Sequence, residues 1–147
     1  MDLTSQLWKL KATNAVQLLK QRELKPSELV IAAIERIEEV DDKTNALPIR
    51  CFERALKQAK SVENANIKQT NQVLCGLPIA VKDYNDVGGV LTTFGSPIFI
   101  KNLPEKSDET IAKLESHGAI PIAKSNVPEW AGGNTFNSVH GITRNPW

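Results

Sequence analysis

Apolar positions recur at helical spacing through the first half of the chain and then give way to short unbroken runs. Leu29, Val30, Ala33, Ile34 and Ile37 repeat every three or four residues, with Glu35, Arg36, Glu38 and Glu39 largely opposite them. That spacing predicts an amphipathic helix. Pro26 suits its first turn, and the helix is expected to end near Val40, before the polar stretch 41–45. A shorter helix over 13–22 precedes it, with Ala15, Val16 and Leu19 on its apolar side and Thr13 or Asn14 as its cap. A third helix is expected over 52–62, where Phe52, Ala55, Leu56 and Ala59 share a face. The polar residues 63–72 read as a loop.

The pattern changes after that loop. Residues 77–81 form a short apolar run introduced by Gly76 and carrying Pro78, which reads as a buried strand. A turn-rich stretch over 83–89 follows. Asp108 is placed to cap a helix over 109–117, and Gly118 suits the left-handed position that ends it. Residues 119–124 read as a second strand, which Pro121 would put at a sheet edge or deprive of one ladder bond. Strand, helix, strand implies a right-handed crossover in an α/β sheet. The chain is therefore expected to form part of one domain, with a helical lead-in over 1–72 and the start of an α/β core over 73–147. From Ser125 onward it reads as mostly irregular, and a long loop in a compact domain is either functional or a sign of missing structure.

Composition narrows the function classes. A formal net charge of +1, with 18 basic residues spread along the chain, gives no field that would favour nucleic acid. No run approaches the roughly 18 apolar residues of a membrane span. Met1 to Ser5 lack the basic-then-apolar character of a signal peptide, so the expected location is cytoplasmic. Cys51 and Cys75 have no metal-binding spacing and are expected to be partly buried thiols rather than a disulfide. His117 and His140 are too few for a metal cluster and are expected to be structural, so no metal is expected. Gly88-Gly89 lacks the G-x-G-x-x-G pattern of a nucleotide site.

The candidate chemistry lies at Lys82, which closes the run Gly76-Leu77-Pro78-Ile79-Ala80-Val81-Lys82-Asp83. Sheet enzymes keep their chemistry at such carboxyl ends. A buried amine there loses its proton more easily, because burial disfavours the charged form. The residues alone leave open a solvated strand end, or an ion pair with Asp83. The next motifs in order are Leu91-Thr92-Thr93-Phe94-Gly95-Ser96, Gly118-Ala119-Ile120, Lys124-Ser125-Asn126-Val127-Pro128-Glu129 and Thr143-Arg144-Asn145-Pro146-Trp147. Together with the Lys82 run, and with the leading helices over 26–46, they resemble the amidase signature enzymes along nearly the whole chain.

The resemblance implies an α/β fold in which N-terminal helices lead into the first strands and helix of a mixed sheet, with an incomplete core. It implies hydrolysis of a carbon–nitrogen amide bond by a Ser–cis-Ser–Lys mechanism, without a cofactor. Lys82 matches the family's catalytic lysine. Ala131, Gly132 and Gly133 match backbone that lines the substrate pocket, although the glycines alone would also fit a flexible turn. The Gly-Ser-rich loop with the bridging serine follows the Asn-Pro-Trp element in that family, and the nucleophilic serine comes later. This sequence stops at Trp147 and contains neither, so it reads as the first third of an enzyme, inactive alone. Of Ser96, Ser125 and Ser138, Ser125 is best placed to substitute, yet turn and cap chemistry is the expected role of all three. The implied partners are a small amide substrate and a complementing C-terminal chain or second copy, with no direct contact to nucleic acid or membrane. Residues 127–136 look more like the general amidases than the amidotransferase A subunit that the family also includes. The alternatives are a non-catalytic remnant or interaction module that needs a partner, and a fragment of that A subunit.

Overall fold

In a computed structural model describing residues 3–65 and 72–147, the helix that begins at Pro26 runs further than its apolar pattern predicts. Helix α1 (Ala12–Gln21) leads into α2 (Pro26–Thr44), followed by β1 (Ile49–Arg50) and α3 (Phe52–Asn64). Then come β2 (Pro78–Lys82), α4 (Glu109–Ser116), β3 (Ile120–Ser125) and a small hairpin of β4 (Phe136–Asn137) and β5 (Gly141–Ile142). A 3-10 turn over Leu3–Lys9 precedes them.

Asp41 explains the longer α2. Its carboxylate is buried and accepts from Thr44 Oγ1 at 2.8 Å and from the backbone N–H groups of Ala46 and Leu47 at 2.7 and 3.0 Å. A polar residue that looks like a helix stop therefore supplies acceptors for the donors beyond the last turn. At the other end, Glu28 accepts from the Lys25 N–H at 2.8 Å, and Glu63 of α3 accepts from the Ser27 N–H at 2.7 Å. Helix α1 starts at Ala12 with Lys11 in the cap position, so neither Thr13 nor Asn14 caps it. Most of the expected loop 63–72 lies outside the described residues, and Glu63 and Asn64 belong to α3.

Three apolar clusters hold these elements. Val30, Ile34 and Ile37 of α2 meet Ala55 and Ala59 of α3 and Ile120, Ile122 and Ala123 of β3. The two alanines are wholly buried, and their small side chains let α3 lie close to both neighbours. Ala15 and Leu19 of α1 pack with Leu24, Leu29 and Cys75. Ile49, Val81, Val87 and Val90 pack with Ile111 of α4. Both cysteines are free thiols.

Strand β3 is the middle of a three-stranded sheet, antiparallel to β1 and parallel to β2. Pro121 is therefore not on an edge strand. Its missing donor is absorbed by a register slip: Ile79 faces Pro121, then Ala80 faces Ala123, leaving Ile122 without a β2 partner. The Ile122 carbonyl instead accepts from the Cys51 N–H at 3.1 Å. The parallel β2–α4–β3 unit is the one its element order implies, and Gly118 closes α4 at φ +89°. Strand β1 and the β4–β5 hairpin were not legible as strands. Among the described residues, no helix is long and apolar enough to cross a membrane.

Gly76 makes the joint before β2 sensitive. It sits at φ +99°, and an added Cβ would lie 2.5 Å from the Pro26 Cβ. Gly76→Ala is expected to cost about 2 kcal/mol or more, through backbone strain and the clash with α2. A shift of the urea midpoint at constant m-value is the check.

Candidate active site

Strand alternation decides how the chain leaves β2. Val81 points inward, Lys82 is exposed, and Asp83 is again buried, at 0% exposure. The buried carboxylate does not pair with Lys82. It accepts from Lys124 Nζ at 2.9 Å, from the Thr93 N–H at 3.1 Å and from Thr93 Oγ1 at 2.5 Å. Lys124 is itself fully buried and also donates to Thr92 Oγ1. Thr93 Oγ1 accepts from the Gly95 N–H at 3.1 Å and lies 3.2 Å from His140 Nε2. The burial expected of Lys82 therefore belongs to Lys124. Burial pushes the Lys124 amine below its ordinary range, while the hydrogen bond and charge of Asp83, then the charges of Asp86 and Asp108, oppose that shift. The Asp83 contacts hold it as the cation of an ion pair.

Asp108 clamps the turn that follows. It occupies the cap position of α4, but its side chain makes no cap bond. Its carboxylate instead accepts from the Asp86 N–H at 3.0 Å and from Asn85 Nδ2 at 3.2 Å. The Asn85 N–H donates back to the Lys82 carbonyl at 2.9 Å. Tyr84, inside this turn, places its ring centroid 4.8 Å from Lys82 Nζ. Its hydroxyl donates to the Pro128 carbonyl and accepts from the Ala131 N–H at 2.5 Å. Lys82 and Ala131, which sequence reasoning placed in one site, are thus joined through Tyr84.

The Ala131 segment is strained. Trp130 at φ 52° and Ala131 at φ 62° are consecutive non-glycine residues in the left-handed region, where each costs about 1–2 kcal/mol. The Trp130 indole stacks on Phe94 at 6.3 Å and meets Phe99 edge-on at 5.6 Å. Gly132 and Gly133 follow at the surface, Gly133 at φ +80° with open space around its α-carbon. Ser125 is the register partner of Lys82, Ser96 is buried and Ser138 is exposed. A cleft of about 520 Å³ between Arg50–Arg54 and Gly89–Leu91 contains none of the expected site residues. Cys51 lines it, but burial pushes its thiol up, away from the reactive thiolate.

Sequence reasoning missed Lys124, Thr92, Thr93, Tyr84 and His140. A signal existed for the first. Asp83 follows an exposed residue on a buried strand, so alternation sends it inward, where a carboxylate needs a cation. Lys124 ends the neighbouring apolar run in the same manner.

Two outcomes test this network. Asp83→Asn or Lys124→Met should each cost about 3–5 kcal/mol, because the remaining charge is left buried. The double variant should recover much of the loss in a urea titration. Burial also lowers His140 below its ordinary 6.5, against the charge of Asp83. Its stabilising contribution is therefore complete above pH 6.5 and is lost as pH falls through the lowered value. His140→Gln should flatten that part of the stability–pH curve.

Comparison with known proteins places this geometry in a family. The family model Amidase matches residues 28–147. The A subunit of the glutamyl-tRNA(Gln) amidotransferase of Thermodesulfovibrio yellowstonii is 37% identical over 97% of the chain. Among solved structures, a fatty acid amide hydrolase superposes with a TM-score of 0.91 at 25% identity over 99% of the chain. A bacterial aryl acylamidase of the amidase signature family superposes with a TM-score of 0.83 at 26% identity over 95%. These relatives fall on both sides of the division between general amidases and the amidotransferase. The chain spans 30% of the length of the first and 26% and 29% of the two structures. With the family model covering most of its length and the fold superposing on amidase signature enzymes from end to end, the chain belongs to the amidase family.

Proposed function

We propose that these residues supply the lysine base and part of the substrate wall of a hydrolase that cleaves a carbon–nitrogen amide bond by a Ser–cis-Ser–Lys mechanism. One observation carries the reading. Lys82 leaves the carboxyl end of β2 with its amine outside, while Asp83, the nearest carboxylate in sequence, is engaged by Lys124. No ion pair among the described residues involves Lys82.

In this mechanism the neutral Lys82 amine accepts a proton from a bridging serine. That serine takes one from the nucleophilic serine as its oxygen attacks the amide carbonyl carbon. Collapse of the tetrahedral intermediate breaks the C–N bond, and the relay returns the proton to the leaving nitrogen. Water then attacks the ester by the same relay and releases the acid. Ala131, Gly132 and Gly133 line the pocket for a small amide. Both serines, and the backbone N–H groups that stabilise the oxyanion, come from polypeptide outside these 147 residues, continuous with them or as a complementing chain. The 147-residue chain alone is then inactive. Ile98, Ile100, Leu103 and Trp130 are each more than half exposed, which supports burial against such additional polypeptide. The reaction requires no metal or cofactor and no direct contact with nucleic acid or membrane, and it takes place in the cytoplasm.

A second reading follows from the Thermodesulfovibrio yellowstonii relative. In an amidotransferase of that kind, the ammonia freed from the amide is fed to charged tRNA. Turnover of simple amides without charged tRNA favours the general amidase, and ammonia release that depends on further subunits and charged tRNA favours the amidotransferase.

In the enzyme assembled from this sequence and the serine-bearing polypeptide, Lys82→Ala should lower kcat by about 10³-fold, within the usual reach of a general base. Steady-state amide hydrolysis reads the effect. Near-normal turnover by that variant would refute the role of Lys82, and turnover by the isolated chain would refute its incompleteness.

A further inference from the structure

We propose that Tyr84 is a positioning residue whose ring seats the Lys82 amine and whose hydroxyl seats the Ala131 segment, so that base and substrate wall share one support. The inference rests on the roles given above to Lys82 and Ala131.

Lys82 Nζ lies 4.8 Å from the ring centroid, so the end of the lysine side chain rests against the aromatic face. The far end of the same ring reaches the Glu129–Ala131 turn, donating to the Pro128 carbonyl and accepting from the Ala131 N–H at 2.5 Å. That N–H is shared with the Pro128 carbonyl at 3.2 Å, so the hydroxyl provides the shorter contact. Backbone in the left-handed region at two successive non-glycine residues persists only where its surroundings fix it. Phe94 and Phe99 pack against the Trp130 indole, and Tyr84 holds the backbone through the Ala131 N–H.

Tyr84 is itself held. The turn that carries it is closed by the Asn85 N–H to Lys82 carbonyl bond and clamped by Asp108 through Asp86 and Asn85. Its ring is half-buried. Both functions need one side chain with a flat π face near its base and a donor–acceptor at its tip. Phenylalanine keeps the first and loses the second, whereas leucine loses both.

NMR on the 147-residue chain tests this directly. In the parent protein the Lys82 ε-methylene protons should be displaced upfield from those of other exposed lysines by the ring current. Tyr84→Phe should keep that displacement but speed hydrogen exchange of the Ala131 amide by about tenfold, as expected for one lost hydrogen bond. Tyr84→Leu should abolish the displacement and speed exchange equally, with unchanged β3 amide resonances showing that the sheet is intact. If Tyr84→Leu does not fold, the parent protein and Tyr84→Phe still decide. A Lys82 methylene signal with no displacement in the parent, or an Ala131 amide unchanged by Tyr84→Phe, overturns the proposal. None of these measurements reads catalysis, so their failure would leave the role of Lys82 standing, and an inactive assignment for Lys82 would leave them unchanged.

Discussion

An ion pair shut away from water, Lys124 Nζ to Asp83 Oδ1 at 2.9 Å, is the constraint around which the site is arranged. Removing two charges from solvent costs several kcal/mol per ion, and attraction offsets this only when the remaining hydrogen-bonding capacity is also met. Here it is met locally, by Thr92 Oγ1 on the amine and by the Thr93 amide and hydroxyl on the carboxylate. The geometry therefore has little freedom. Lys124 belongs to the central strand, and Asp83 is bonded to the residue that ends an outer one. With Asp83 fixed inward, Lys82 must face outward. The same node reaches Gly95 and His140 through Thr93 and so ties the 92–96 loop to the C-terminal segment.

The C-terminal segment shows a different means of ordering a chain. Residues 126–144 contain little regular structure, and asparagine side chains take over the work of a ladder. Asn45, left-handed at the end of α2, donates to the carbonyls of His140 and Ile142. Asn126 donates to the Gly141 carbonyl and Thr143 Oγ1, and Asn137 to Asn126 Oδ1 and the Val127 carbonyl. Thr143 closes the set by donating to the Asn45 carbonyl at 2.7 Å.

That division of labour explains what was legible in the sequence. Periodicity located α2 and α3, because apolar burial at 3.6-residue spacing leaves a direct imprint: Val30, Ile34 and Ile37 are core residues in fact as in pattern. It misjudged ends fixed by polar side chains, as at Asp41, and left open whether Pro121 lay on an edge strand or cost a ladder bond, because a register slip inside a central strand has no local signature. The Asn45 contacts join residues nearly a hundred positions apart and leave no periodic trace. At the site, motif order led to Lys82. Its support was harder to see, since Lys124 on an apolar run and Tyr84 in a turn each have ordinary explanations when considered singly.

The placement of β3 has a consequence for biosynthesis. Both β1 and β2 pair only with β3, which follows them in the chain. Helices α2 and α3 can meet as soon as residue 64 has emerged from the ribosome, but the sheet has no centre until Ser125 does. At about 5–20 residues per second, the interval is several seconds. Strand β1 waits through all of that time for its pairing partner, and β2 and Asp83 wait from their own emergence, the strand without its neighbour and the carboxylate without its counter-ion. The lysine that neutralises the carboxylate arrives on the same strand that completes the sheet, so strand pairing and charge burial become one event.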